Sequence, residues 1–161
     1  MTYPMETATT KLIRSLLDER NIPYKYFEHA PTPTSEESAK VRGESIAIGG
    51  KALLLKVDDA FELFVVSAAL RLDTKALCKF RNAKRSRFAT KEELFEFTGL
   101  VPGSVPPFGN PILPFPLFVD HSVTANEKIA FNAGSLTASI TMAVVDYLAV
   151  TNPVVARFSL S

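Results

Sequence analysis

Cysteine is almost missing from this chain. Cys78 stands alone among 161 residues, which excludes an intrachain disulfide and a cysteine-built metal site. Histidine is nearly as scarce: His29 and His121 are the only two. Neither has neighbouring ligands at metal spacing, so no zinc centre is expected, and both read as structural or solvent-exposed residues. No apolar run approaches the roughly 18 residues of a membrane span, so no membrane partner is expected. The segment Met1 to Glu6 has no basic stretch leading into an apolar one and does not read as a secretory signal. A cytoplasmic, unprocessed protein is the plain expectation. P-loop, dinucleotide-binding and nucleophile-elbow patterns are all absent, and neither a cofactor nor a metal is implied. A formal net charge of +1 excludes a polybasic protein that coats nucleic acid indiscriminately.

What is present is an apolar fraction of 47%, enough for a sizeable core in a chain of this length. Leu12, Ile13, Leu16 and Leu17 fall at helical spacing between Ala8 and Arg20, and Pro23 stops that helix. Tyr24 to Glu28 is a short strand. Thr34 to Glu37 fits a capping box for a helix running to about Arg42 and ending at Gly43. Lys51–Val57 and Phe61–Ser67 are apolar on nearly every residue and read as a hairpin, central and covered on both faces. Asp73 caps a helix through Phe80, and Thr90 with Glu93 starts another that ends at Gly99. Six of the eleven prolines lie between Pro102 and Pro116, making a stiff, non-helical stretch. Leu117–Asp120, Lys128–Asn132 and Ala138–Met142 read as strands, and Val144–Ala149 as a short helix. No linker or repeat divides the chain. The expected fold is a single α+β domain over residues 1–161, with a mixed, mostly antiparallel sheet or partial barrel and surrounding helices.

Two segments about fifty residues apart carry the candidate chemistry. In the first, Gly49 and Gly50 precede Lys51 at the start of an apolar strand, so its ammonium is held rather than left to sweep through water. A lysine there reads equally as a surface residue with a buried stem. The second is Gly103-Ser104-Val105-Pro106-Pro107-Phe108-Gly109, where two prolines fix φ between flexible glycines. Such a loop can aim the amides of Ser104 and Val105 at an anion or a developing oxyanion, whereas Pro106 and Pro107 cannot donate. A third feature is electrostatic: from Thr74 to Lys91 there are seven basic residues and no acidic one. It reads as a solvated face or as a docking surface for phosphates, with Lys79, Arg81, Lys84 and Arg85 as the candidates.

Taken in order, these residues resemble the YbaK / prolyl-tRNA-synthetase-associated family of aminoacyl-tRNA editing domains. The resemblance is spread from about Ile22 to Leu148. It includes Phe27-Glu28-His29-Ala30-Pro31, Ser35 to Ala39, Lys51 to Leu55, Leu70 to Leu77, Ala89 to Leu94, Thr98-Gly99 and the Gly103-x-x-x-Pro107-Phe108-Gly109 loop. It implies a YbaK-like fold and hydrolysis, in trans, of the ester between a wrong amino acid and the 3′ end of its tRNA. Under that resemblance Lys51 engages the substrate carbonyl or the terminal phosphate region. The loop from Gly103 to Pro107 positions the aminoacyl adenosine, and a ribose hydroxyl of the substrate helps activate water. Gly103, Ser104 and Val105 join Lys51 as catalytic candidates; Phe27, Gly50, Pro107, Gly109, Gly134 and Ser139 are substrate-binding candidates. Two departures bear on specificity: some members have tyrosine at the position of Phe27 and aspartate at that of Ser139. Leu136 to Ile140 looks closer to members acting on alanyl or other small esters, and small pocket changes redirect such a preference.

The expected partner is therefore aminoacyl-tRNA, with an aminoacyl-tRNA synthetase as a further candidate. A non-catalytic module of the same fold that binds aminoacyl-tRNA or a synthetase is the rival reading, since Lys51 serves binding as well as hydrolysis. Hydrolysis of a different small ester or amide, without tRNA, is a third.

Overall fold

Helix α1 (Ala8–Glu19) opens where the Thr7 hydroxyl accepts from the Thr10 amide, and it buries Ile13 and Leu17. Leu12 faces outward and is exposed. The computed structural model describes residues 6–31 and 34–161, so Met1 to Met5 of the N-terminal reading lie outside the described residues. Strand β1 (Tyr24–Glu28) leads to helix α2 (Ser35–Arg42), capped by Thr34 and closed by Gly43 at φ 67°. After a 3-10 turn at Ile46–Ile48 come strands β2 (Gly50–Val57) and β3 (Ala60–Ser67), antiparallel throughout, with Asp58 at φ 52° in the connecting turn.

The hairpin is central. In the five-stranded sheet, β2 and β3 lie between β5 (Ser86–Phe88) on one side and β6 (Leu117–Asp120) and β9 (Val154–Ala156) on the other. The β3–β6 and β6–β9 pairs are parallel; β2–β3 and β2–β5 are antiparallel. Alternation along β3 feeds two cores, as expected for a strand apolar on both faces. Leu63 and Val65 enter the larger core, with Ile13, Leu17, Phe108 and Tyr147. Phe64 and Val66 enter the smaller one, with Leu77 of helix α3 (Thr74–Arg81), Phe118 and Phe158. Asp73 caps α3 through the Ala76 amide. Helix α4 (Lys91–Thr98) carries both bonds of the Thr90/Glu93 capping box.

A second sheet of three antiparallel strands runs in the order β1, β8 (Ala138–Ala143), β7 (Lys128–Asn132), followed by helix α6 (Val144–Thr151). The two sheets meet at a parallel bridge between Gly49 and Ala130. The join requires glycine: a Cβ on Gly50 would stand 2.6 Å from Ile129 Cδ1, and one on Gly49 would stand 2.9 Å from Ala68 Cβ. Gly50 therefore leaves room for Ile129 where the sheets touch, and Gly49 leaves room for Ala68 after β3.

The mixed, mostly antiparallel α+β architecture agrees with the expectation, and the sheets do not close into a barrel. Short elements escaped the sequence: strand β4 (Arg71–Leu72), β5 and helix α5 (His121–Thr124) are too brief for periodicity to show. The tail forms β9 and β10 (Ser159–Leu160), with β10 pairing antiparallel to β4. Its anchor is Asp120, whose carboxylate accepts from the Phe158 amide at 2.6 Å and the Ser122 amide at 2.8 Å. No helix among the described residues is long and apolar enough to cross a membrane.

Candidate functional site

Where the two sheets meet, a cavity of about 200 Å³ opens between the N-terminal end of β2, the N-terminal turn of α2, the end of β7 and the Gly103 loop. Lys51, Gly50, Gly103 and Val105 all line it. Lys51, half-buried, donates from Nζ to the Leu70 carbonyl at 2.9 Å. An ammonium has three N–H donors, so two remain for a ligand. Burial lowers the ammonium pKa below the ordinary lysine value, and the Glu36 carboxylate works against that fall.

The loop is held from several sides. Val101 to Ser104 make a turn closed by the Ser104 amide on the Val101 carbonyl at 3.1 Å, with Pro102 second and Gly103 third at φ 88°. Proline followed by a positive-φ glycine is the sequence requirement of a type II turn. The Ser104 carbonyl accepts from the Gly134 amide at 3.0 Å. The buried Tyr147 hydroxyl donates to the Pro107 carbonyl at 2.6 Å, and the Phe108 ring packs against Phe131 and Tyr147. Among the described residues from Gly103 to Pro107, the Gly103 and Val105 amides are the two N–H groups without an internal acceptor.

Several sequence candidates therefore change role. Ser104 is corrected as an amide donor to ligand: its N–H closes the turn, its hydroxyl donates to the Val101 carbonyl at 2.8 Å, and it does not line the cavity. Pro107, Gly109 and Gly134 do not line it either. Pro107 is tied to Tyr147, and Gly109 packs so closely that a Cβ would stand 2.6 Å from the Phe115 carbonyl. Gly134 holds the loop through Ser104 and presses on Thr9, 2.7 Å from where its Cβ would be. Phe27, Ser139 and Asn132 form one row across the second sheet, on neighbouring strands β1, β8 and β7. Of the three, Asn132 alone lines the cavity.

Asn132 is the residue the sequence reading missed. Its Nδ2 donates to the Gly103 carbonyl at 2.7 Å, and its Oδ1 accepts from the Ser139 hydroxyl at 3.0 Å. His29 Nε2 stands 2.7 Å from the same hydroxyl, while Nδ1 stands 2.8 Å from the Ala30 carbonyl. The only hint in the sequence is a polar residue ending an apolar strand just before Ala133-Gly134. Thr34, Ser35 and Ser38 at the start of α2 also line the cavity. None of the described residues lining it is Asp, Glu, His or Cys, and among the described residues no three such side chains gather to hold a metal.

The basic segment lies elsewhere. Val57, at the far end of β2, pairs with Ser86, about 20 Å of strand from Lys51. Arg81 is not a free cation: Nε and Nη2 bond the two Glu62 oxygens at 2.8 and 2.6 Å, and the guanidinium lies 4.4 Å over the Phe118 ring. Arg87 is paired in the same forked way with Glu93. Lys79, Lys84 and Arg85 are exposed.

A family model described as an aminoacyl-tRNA editing domain matches residues 29–150. The multifunctional Ser/Thr-tRNA deacylase ProXp-y of Escherichia coli (strain K12) is 28% identical over 160 residues, covering 94% of this chain and 93% of that protein. A proline–tRNA ligase of Shouchella clausii (strain KSM-K16) is 34% identical over 111 residues, 66% of this chain but 19% of the ligase. Among solved structures, a candidate trans-editing enzyme for prolyl tRNA synthetase superposes with a TM-score of 0.83 at 26% identity, covering 97% of this chain and 99% of that one.

Proposed function

The chain belongs to the family of aminoacyl-tRNA editing domains, and on that premise we propose that it hydrolyses, in trans, the ester joining a wrong, small amino acid to the 3′ end of a tRNA. The observation that carries this reading is that one cavity is lined by a half-buried lysine and by Gly103 and Val105, whose amides have no internal acceptor among the described residues. An ester carbonyl entering there meets a cation already oriented by Leu70. As the tetrahedral intermediate forms, negative charge grows on that oxygen, and preorganised donors stabilise it more than the starting ester. Since no described side chain lining the cavity is Asp, Glu or His, the attacking water gives up its proton with help from the ribose hydroxyl beside the ester. The protein supplies orientation and electrostatics.

Thr34, Ser35 and Ser38 line the cavity beside small Gly and Ala residues. Together with the activity named for the Escherichia coli relative, they make seryl and threonyl esters the first substrates to try. The whole chain, 1–161, acts as one editing domain in the cytoplasm. A synthetase is a second candidate partner, because part of a proline–tRNA ligase matches this chain. Lys79, Lys84 and Arg85 are the phosphate contacts of this scheme.

The test is deacylation of tRNAs charged with serine, threonine, alanine, cysteine or proline by wild type and Lys51→Ala. The expected result is release of one or two of these, reduced roughly 100- to 1,000-fold in the variant, the scale for losing one oxyanion donor. No release above the buffer rate with tRNA still bound makes the protein a binding module instead.

A further inference from the structure

We infer that Asn132 is a positioning residue, anchored by Ser139 and His29, that fixes the Gly103 loop so that the Gly103 and Val105 amides face the bound ester. The inference rests on the deacylase reading and adds what makes its loop competent.

Hydrogen-bond donors and acceptors fix the orientation of the Asn132 side chain. A backbone carbonyl only accepts, so the Asn132 end facing Gly103 at 2.7 Å is its NH2 group, and its Oδ1 faces Ser139. The Ser139 hydroxyl, fully buried, gives its one proton to Asn132 Oδ1, and its oxygen stands 2.7 Å from His29 Nε2. The second NH2 hydrogen of Asn132 has Ser38 Oγ 3.4 Å away. Asn132 thus lines the cavity with its two short hydrogen bonds turned into the protein, toward Gly103 and Ser139. An amide in that state does not read the ligand; it holds the wall.

The wall it holds is the one that matters. The Ser104 amide, Ser104 carbonyl and Pro107 carbonyl are each tied to scaffold groups, and the Gly103 carbonyl is the remaining tie, made by Asn132 alone among the described residues. Gly103 is also the flexible point of the turn, at φ 88°. Without Asn132, the peptide between Gly103 and Ser104 keeps only the Ser104 N–H bond to Val101, and the donors on either side are held less firmly. Displacement of a catalytic donor by about 1 Å can cost about 100-fold in rate. Ser139 acts one step back, by keeping the Asn132 amide from rotating.

Asn132→Ala, Asn132→Asp, Ser139→Ala and Ser139→Thr are compared for kcat, KM and melting temperature. Asn132→Asp keeps the acceptor for Ser139 but turns a carboxylate oxygen on the Gly103 carbonyl. The expected order of kcat is wild type, then Ser139→Thr, then Ser139→Ala, then Asn132→Ala, with Asn132→Asp lowest. Asn132→Ala falls roughly 10- to 100-fold in kcat with KM changed less than about threefold. Backbone amide NMR gives a readout independent of turnover. With 3′-serylamino-3′-deoxyadenosine as probe, the Gly103 and Val105 peaks of wild type shift on saturation, and in folded Asn132→Ala those shifts shrink or vanish. A folded Asn132→Ala with wild-type kcat and wild-type peak shifts overturns the inference. If wild type releases no amino acid, the deacylase reading fails, and the NMR arm decides the loop's dependence on Asn132 by itself.

Discussion

At one end of strand β2 a single lysine, half-buried, lines a cavity with Gly103 and Val105; the other end pairs with β5, part of a segment from Thr74 to Lys91 that carries seven basic residues and no acid. By charge count the second region is the stronger. By availability it is not. Arg81 is locked to Glu62 and Arg87 to Glu93, while Lys51 gives one of its three donors to Leu70 and keeps two. A run of like charge measures field; the folded partners decide how much of it reaches a ligand.

The largest expected effect that sharpens this contrast is on stability. The Glu62 side chain is only 7% exposed and Arg81 is 33% exposed, so Arg81→Ala strands a buried carboxylate. It should cost about 3 kcal/mol in urea denaturation, the low end for breaking a buried pair. The salt dependence of tRNA binding by the remaining folded protein should not change. If Arg81→Ala is as stable as wild type and binds tRNA with a shallower salt slope, Arg81 returns to the phosphate surface. Next in size is the triple change of Lys79, Lys84 and Arg85 to alanine. Removing one cation from a phosphate lowers the slope of log affinity against log salt by about 0.7–0.9, so a drop of about 2 to 3 is expected for the three. An unaltered titration removes the segment from tRNA recognition and leaves β2 with one functional end.

The cavity end responds to pH. Burial holds the Lys51 pKa below its unfolded value, so through that interval the unfolded chain binds more protons than the native one. Wild-type stability therefore rises as pH climbs across it. Lys51→Met removes that slope. The variant should melt higher than wild type at neutral pH, with the gap narrowing as the solution becomes alkaline; a constant gap would mean that Lys51 is not desolvated. The smallest effect is at Glu93. Bonds from Arg87 first, and then from the Thr90 amide, hold its pKa at about 2. Its contribution is present above the unfolded carboxylate pKa and disappears as pH falls through about 2. In Arg87→Ala, carboxyl NMR titration should find Glu93 closer to the ordinary value, with little change in melting temperature because the pair is exposed.

Much of the fold was legible because its signals are local. The β2–β3 hairpin is apolar on both faces, and capping residues mark α2, α3 and α4 where Thr34, Asp73 and Thr90 stand. The site was legible in half. Lys51, Gly50, Gly103 and Val105 converge, but Ser104, Pro107, Gly109 and Gly134 support the loop from behind, a distinction that depends on which way each N–H and C=O points. Asn132 was not legible, because its partners Gly103 and Ser139, and His29 behind Ser139, lie on three other segments of the chain.

By itself, then, the sequence determined the elements, the family resemblance and the lysine and loop that form the cavity. Caps, alternation and turn residues act within a few positions of one another, and a linear reading recovers them. The tertiary structure alone decided which cations stay free and which loop amides are spent inside the protein, and that an asparagine at a strand end bonds the loop. Those outcomes depend on hydrogen bonds and ion pairs between residues far apart in sequence, whose partners exist only once the two sheets have met.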